Sequence, residues 1–504
     1  MLFNSFVFIF LFLPITLIVY FQFGRYGYHN VALVWLICAS LIFYGWWNPV
    51  YLGLILGSVL FNYAMGRFIN RNLNRQPITV LVFGIVINLG ALGYFKYANF
   101  FVDNINSLFA TSFHVNQIIV PLAISFFTFQ QIAYLVDTWR GETGGYTFLH
   151  YCLFVTFFPQ LIAGPIVRHK ETLPQFAKNI VSKLNYENLA VGLSLFILGL
   201  FKKVVIADTA ATYVTPFFEI AKQGGSLTFV EGWVAALAYT FQLYFDFSGY
   251  SDMAIGLARM FGILLPINFN SPYKAYNVID FWRMWHITLS DWLRDYIFFP
   301  VRRSVLRKYR NTHMYWTLLV PPMVTMLVSG LWHGAGWTFV LWGGLHGIYL
   351  VTNQAWRMLN SKFTLTSKFS PFLLSNISWL ITFISLVVAW VFFRAPTIHS
   401  ALLMLKAMFG FNGFVFSLGG DLSKREVLLF LVGSMIIVKL LPNSMDIMRL
   451  YKPVLGKNYT KQKSLIELSW KPTIMWGFLF VILMLSSIRV MVTQGYYEFI
   501  YRFF

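Results

Sequence analysis

Leu331-Trp332-His333-Gly334-Ala335-Gly336-Trp337 lies inside an apolar block running from Tyr315 to Thr352, and its reading decides the kind of protein this is. A bilayer core takes about 20 apolar residues per helix, so the block is long enough for two passes. An ionisable side chain at membrane depth is costly and marks a functional site by default. His333 stands between two tryptophans, and Gly334 and Gly336 after it let backbone come close to a ligand. A neutral core histidine held by one hydrogen bond is the plainer account of the same residue. If it is chemical, an imidazole suits the role of general base for a hydroxyl acceptor.

Outward from this block the chain keeps the same character. Of its 504 residues 58% are hydrophobic and 11% charged, with a mean hydropathy of +0.65. No soluble domain hides that much apolar surface, and backbone groups in lipid must pair internally. The expected fold class is therefore an all-α polytopic membrane protein. Apolar runs at 5–23, 31–48, 50–66, 78–96, 118–137, 148–166, 187–206, 228–247, 315–332, 335–352, 376–393, 426–441 and 473–492 give about 11–13 spans. The first run lacks a basic leader and a small-residue cleavage site, so it is kept as a helix. No internal repeat is visible. The expected division is a membrane domain at 1–472 followed by a terminal helix and aromatic tail at 473–504.

A net charge of +20 would point to nucleic acid in a soluble protein, but here the cations sit in short loops between apolar runs, so nucleic acid is discounted. Cys38 and Cys152 fall in apolar segments and give neither a disulfide framework nor a zinc site. Arg67, Arg71 and Arg75, then Arg302, Arg303, Arg307, Lys308 and Arg310, mark two cytoplasmic loops. Arg449, Lys452, Lys457, Lys461, Lys463 and Lys471 mark a third. The last helix would then run outward and leave the tail, through Phe499-Ile500-Tyr501-Arg502-Phe503-Phe504, on the far side.

The second element is Phe281-Trp282-Arg283-Met284-Trp285-His286. Residues 244–300 carry Asp246, Asp252, Arg259, Asp280, Arg283, His286, Asp291, Arg294 and Asp295 among many aromatics, which predicts re-entrant or interfacial helices enclosed by the bundle. A helix over 280–297 would put Arg283, His286, Ser290 and Arg294 on one stripe and Trp282, Trp285, Leu289, Trp292 and Tyr296 opposite. That polar stripe could line a tunnel; a surface amphipathic helix with a solvated histidine fits the pattern equally. His29, His114, His169, His313 and His399 sit near loops or span ends and read as solvated. His346 could support the site from behind, and packing accounts for it more readily. Asp137, Asp246 and Asp252 could orient a histidine, but structural pairing, for instance with Arg259 or Arg283, is the stronger reading. No histidine pair at i,i+4 spacing with a nearby acid argues for a metal.

Ser125-Phe126-Phe127-Thr128-Phe129-Gln130, Phe158-Pro159-Gln160-Leu161-Ile162-Ala163-Gly164-Pro165-Ile166, Phe245-Asp246-Phe247-Ser248-Gly249-Tyr250-Ser251-Asp252, Trp285 to Tyr296, and Leu331-Trp332-His333-Gly334 together carry a family likeness. The chain resembles the membrane-bound O-acyltransferases (MBOAT), in particular the bacterial branch that O-acetylates alginate and peptidoglycan or D-alanylates teichoic acid, and most of all its alginate-acetylating members. The resemblance implies a ring of membrane helices around a thin core, with a cytoplasmic opening for the acyl donor and an outer funnel for the acceptor. His333 matches the family's essential histidine and His286 the second histidine of this branch.

The function so implied is transfer of an acetyl group from a cytoplasmic thioester across the bacterial inner membrane for O-acetylation of an exported or cell-wall polysaccharide. No bound cofactor or metal is expected. Acetyl-CoA is the expected donor, with an acyl carrier protein as the alternative, and a periplasmic SGNH-type acetyltransferase the expected partner. Arg302, Arg303, Arg307 and Lys308 could attract the donor's phosphates, joined by Arg283 and Ser290 of the polar stripe. His286 could position the thioester or stabilise an oxyanion. The tail resembles the aromatic C-terminal motif of a small protein of the D-alanylation system, which makes Tyr501 a candidate acyl carrier; an aromatic interface anchor accounts for it too. D-alanyl transfer to teichoic acid, a transporter of glycans or acyl donors, and a structural secretion subunit are the competing functions.

Overall fold

The computed structural model describes the chain apart from residues 74–77, 179–181, 309–312, 364–369, 416–417, 420–422, 457–458, 463, 496 and 501–504. Arg75, Arg310, Lys457, Lys463 and Tyr501 therefore lie outside the described residues. What is described is helical, with no strand among the described residues. The helices that build the core are α1 (Ile78–Phe109), α2 (Tyr186–Lys222), α3 (Phe229–Met260), α4 (His313–His333), α5 (Trp337–Phe363), α6 (Pro371–Arg394) and α7 (Ile474–Gln494).

Seven helices among the described residues are long and apolar enough to cross a bilayer: α1, α2, α4, α6 and α7, with Phe8–Arg25 and Tyr51–Arg71. The other apolar runs fall on three kinds of segment. His29–Gly45, Ile124–Trp139 and Lys424–Leu440 are short. The run 148–166 breaks between helices Phe148–Thr156 and Phe158–Leu161. α3 and α5 are long but carry polar side chains inward.

α3 is the axis of the molecule, 32 residues long and buried along most of its length. It starts with a reciprocal cap: the Thr228 hydroxyl accepts from the Glu231 N–H, and the Glu231 carboxylate accepts from the Thr228 N–H. The half from Tyr244 to Met260 was expected to belong to separate re-entrant helices; it is instead the continuous end of α3. Its aspartates do not interrupt it because α2, packed alongside, supplies cations at the same level. Lys203 lies 2.7 Å from Asp246, and Lys202 lies 2.6 Å from Asp252. The pairing role expected for these aspartates therefore goes to two lysines; Arg259 pairs with Glu187, and Arg283 with Asp280.

Both buried lysines of interest arise from π-helical turns, at Gly93–Tyr97 in α1 and Lys202–Ala207 in α2. A wide turn inserts one residue into the helix and re-aims the side chains around it. Lys96 and Lys203 are thereby turned into the protein, where both are buried.

After Met260 the chain forms only a short 3-10 turn at Pro272–Lys274 before the helices Val278–Trp282 and Ile287–Leu293. The continuous helix expected over 280–297 is not formed. His286 separates the two short helices with φ 42° and ψ 52°, a left-handed conformation that ends one helix and starts the next in a new direction. The expected stripe is broken in consequence, with Arg283 largely in solvent and His286 fully enclosed.

α4 and α5 form a tight antiparallel pair around Gly334-Ala335-Gly336. A Cβ on Gly330 would stand 2.3 Å from the Phe339 carbonyl oxygen, and one on Gly343 2.3 Å from that of Met326. Glycine at these crossings lets two backbones meet, as small residues do where membrane helices pack. The last helix, α7, packs against α2 and ends at Gly495, φ 76°.

Candidate active site

The sequence picked out His286 and His333 from segments 47 positions apart, and the fold brings them to either side of one indole. The Trp332 ring centroid is 6.2 Å from that of His286 and 4.8 Å from that of His333. The series continues through Trp342, 5.0 Å from His333, to His346, 4.8 Å beyond. All three histidines are buried. His333 is the last residue of α4, with Phe393 of α6 5.1 Å away on another side.

Local chemistry fixes His286. The N–H of Ile166 donates to Thr288 Oγ1 at 2.9 Å, so that hydroxyl turns its own hydrogen to Asn268 Oδ1, also at 2.9 Å. Asn268 Oδ1 is thereby the acceptor for His286 Nδ1, 3.1 Å away, while Asn268 Nδ2 donates to Ser251 at 3.1 Å. With its hydrogen on Nδ1, neutral His286 presents a lone pair at Nε2. This suits it to receive a proton or a hydrogen bond, not to donate one to an oxyanion.

The end of α4 is held by two residues that the sequence reading passed over. Lys96 donates to the Trp332 carbonyl and, at 3.1 Å, to Ser125; Tyr97 donates to the Leu331 carbonyl at 2.5 Å. The last carbonyls of a helix have no partner inside it and carry partial negative charge. Lys96 and Tyr97 cap those next to His333, and an ammonium there also opposes the helix dipole. At the end of an apolar run, Lys96 reads as a side chain reaching for the membrane surface, so no sequence signal distinguished it.

Clefts are lined by the chain before and after α7. The loop before it, through Leu455 and Gly456, lines a cleft of about 570 Å³ with Arg168, Lys170, Ile287 and Thr288, the last two directly following His286 in the chain. Tyr459 and Thr460 of that loop line a second, of about 660 Å³, with Arg283, Ser290 and Arg294. Past the other end of α7, Phe499 closes a cleft of about 350 Å³ with Trp46, Trp47, Leu122 and Tyr250.

Residues 140–393 match the family described as MBOAT, membrane-bound O-acyltransferase family. The chain is 46% identical to the peptidoglycan O-acetyltransferase of Helicobacter pylori, over 82% of this chain and 80% of that one. It is 36% identical to the probable alginate O-acetylase AlgI of Pseudomonas putida over 99% of both, and 33% identical to the teichoic acid D-alanyltransferase of Streptococcus thermophilus over 47% of this chain and 57% of that one. The chain belongs to the MBOAT family. It is a multi-pass membrane acyltransferase.

The cationic residues expected to bind the acyltransferase's donor are only partly gathered. Arg302, Arg303, Arg307 and Lys308 lie exposed on the amphipathic helix Phe299–Lys308. Of these, Arg303 turns into a cleft of about 510 Å³, where it joins Arg140, Arg168 and Lys170 beside Asp137, Glu142 and Asp295. Arg168 and Lys170 also line the cleft that holds Ile287 and Thr288, so this basic surface runs on to the two residues after His286. Arg283 and Ser290 share their cleft with each other but not with His286, which is set behind them by the left-handed turn. His169, expected to be solvated, is buried between Asp137, 3.5 Å away, and the Glu142 carbonyl at 3.3 Å. Asp137 also accepts from Tyr296 at 2.8 Å. Its partners are thus a histidine and a tyrosine as well as Arg140, 3.6 Å away.

Tyr501 itself is not described, but the residues before it are, and they fold back into the protein. The Ile500 N–H donates to Asp246 at 3.0 Å, Lys203 donates to the Glu498 carbonyl at 3.3 Å, and Phe499 stacks edge-on against Tyr250 at 4.6 Å.

Proposed function

We propose that this acyltransferase moves an acetyl group from acetyl-CoA, bound on the side of the basic loops, to a hydroxyl presented from the other side, in service of O-acetylation of an exported or cell-wall polysaccharide. The observation that carries the reading is the gathering of His286 and His333 around Trp332, with Ile287 and Thr288, which follow His286, lining a cleft that holds Arg168 and Lys170. The similar proteins named for peptidoglycan and alginate acetylation favour acetyl over D-alanyl, since likeness to the D-alanyltransferase covers less of the chain.

In this scheme the donor's phosphates lie against Arg303, Arg168, Arg140 and Lys170, with Arg302, Arg307 and Lys308 adding a long-range field. His333 takes the proton of the acceptor hydroxyl as its oxygen bonds to the thioester carbon. The C–S bond then breaks and the sulfur leaves as the thiol of CoA, taking up the proton held by His333. His286, its lone pair aimed by Asn268, holds the acceptor hydroxyl or the proton in transit. The membrane is the bacterial inner membrane, and a periplasmic SGNH-type acetyltransferase receives the group.

Tyr501 is the proposed first acceptor, one residue past a backbone fastened to Asp246. The test is protein-bound label after incubation with radiolabelled acetyl-CoA. Label that is released by hydroxylamine and absent from Tyr501→Phe is expected; label that persists in Tyr501→Phe would sink the relay.

A further inference from the structure

Ser329 Oγ, Trp332 Nε1, Trp342 Nε1 and His346 Nε2 are buried and meet no hydrogen-bond partner among the described residues. Each such atom is costly when left unmet in a protein interior. They are not scattered. Ser329 lies one helical turn before His333 on α4, Trp342 and His346 lie one turn apart on α5, and the His333 and Trp342 rings touch at 5.0 Å. A cluster of this kind next to a candidate general base points to a ligand that supplies what the protein does not.

The polarity of the cluster narrows the ligand. An indole N–H only donates. His346 Nδ1 accepts from the Trp282 indole N–H at 3.3 Å, so neutral His346 carries its own hydrogen on Nε2 and donates there as well. The missing partner is thus an atom that accepts. A thioester carbonyl oxygen accepts, and it gains negative charge as a hydroxyl adds to its carbon, so fixed donors aimed at it favour the transition state over the ground state. His286 is left without this task by its own tautomer.

We propose that the Trp342 Nε1–H and the His346 Nε2–H bind the carbonyl oxygen of the acyl donor's thioester beside His333. The assignment rests on the acyl-donor reading above and makes His346 part of the site, where the sequence favoured packing.

The test measures CoA release from acetyl-CoA by the full-length purified protein and by Trp342→Phe, His346→Leu and His346→Gln. The expected result is a fall in kcat of about 10²-fold in Trp342→Phe and in His346→Leu with at most about a tenfold rise in KM for acetyl-CoA, and partial recovery in His346→Gln, whose amide restores a donor. A second measurement compares inhibition by a methyl-ketone analogue of acetyl-CoA with inhibition by S-ethyl-CoA, which has no carbonyl. Two hydrogen bonds predict up to about a hundredfold preference for the ketone in wild type, falling about tenfold in Trp342→Phe, where His346 still donates. That ratio is independent of the fraction of folded protein. Wild-type kcat in both variants, a rise in KM alone, or a ketone preference undiminished in Trp342→Phe would overturn the assignment. A wild type that consumes no acetyl-CoA would instead overturn the donor reading beneath it.

Discussion

Replacing Lys203 by methionine should release the C-terminal tail and destabilise the core together. The ammonium stands 2.6 Å from Asp208 and 2.7 Å from Asp246, and all three side chains are buried. Two charge-assisted hydrogen bonds at such distances contribute about 1.5–3 kcal/mol each. Removing one member of a buried ion cluster, which leaves the others uncompensated, costs about 3–5 kcal/mol. The two routes agree on a loss of about 3–5 kcal/mol. The same change removes the donor to the Glu498 carbonyl and the cation 4.8 Å from the Phe499 ring. The tail would then be held mainly by the Ile500–Asp246 bond, on a carboxylate whose own balance has been lost. Two assays follow in detergent: the free energy of unfolding, and maleimide labelling of a cysteine placed at Phe499, which is buried in the intact protein. Labelling should quicken by at least about tenfold, the factor for 1.4 kcal/mol. A triple change that adds Asp208→Asn and Asp246→Asn should recover much of the stability, since no buried charge then lacks a partner, while leaving the tail loose. Lys203→Met with unfolding energy within about 1 kcal/mol of wild type and unchanged labelling would refute the reasoning, because it would mean that the ion cluster neither carries stability nor holds the tail.

Other outcomes follow from particular contacts. Asn268→Leu, which removes the acceptor for His286 Nδ1 and for Thr288, should lower the acyl-transfer rate by about 10²-fold, the smaller end of a positioned acid or base, as read by CoA release. Lys96→Met should leave the Trp332 carbonyl buried without its donor, costing about 1–3 kcal/mol in unfolding. Gly343→Val, whose side chain would meet the Met326 carbonyl oxygen at 2.3 Å, should force α4 and α5 apart at a cost of about 1–3 kcal/mol or more, read in the same unfolding assay. Arg303→Glu should raise KM for acetyl-CoA with kcat little changed, and the difference from wild type should shrink as salt is raised.

What the sequence made legible is what local pattern encodes. His333 stood out because an ionisable group flanked by tryptophan and glycine sat in a long apolar block, and the helices follow from apolar runs whose lengths match a bilayer. The parts that stayed hidden depend on contacts between distant segments. Nothing in Met284-Trp285-His286-Ile287 announces a left-handed residue, since glycine, the usual signal, is absent; the turn at His286 is held by Asn268, 18 positions earlier. Asp246 looked for its cation in arginines on its own stretch, whereas Lys203 came from a π-turn in the middle of another apolar run. Lys96 was hidden for a similar reason, because the widened turn that points it inward leaves no trace in composition. His346 showed only a glycine-rich apolar context, and its pairing with Trp282 across 64 positions was not available to any helical count.

The most direct test of the central claim is CoA release from acetyl-CoA by purified wild type and His333→Ala, compared at matched, folded protein concentration. The account predicts a loss of about 10²- to 10⁴-fold in the variant, the contribution of a positioned general base. A variant that releases CoA at the wild-type rate would contradict it.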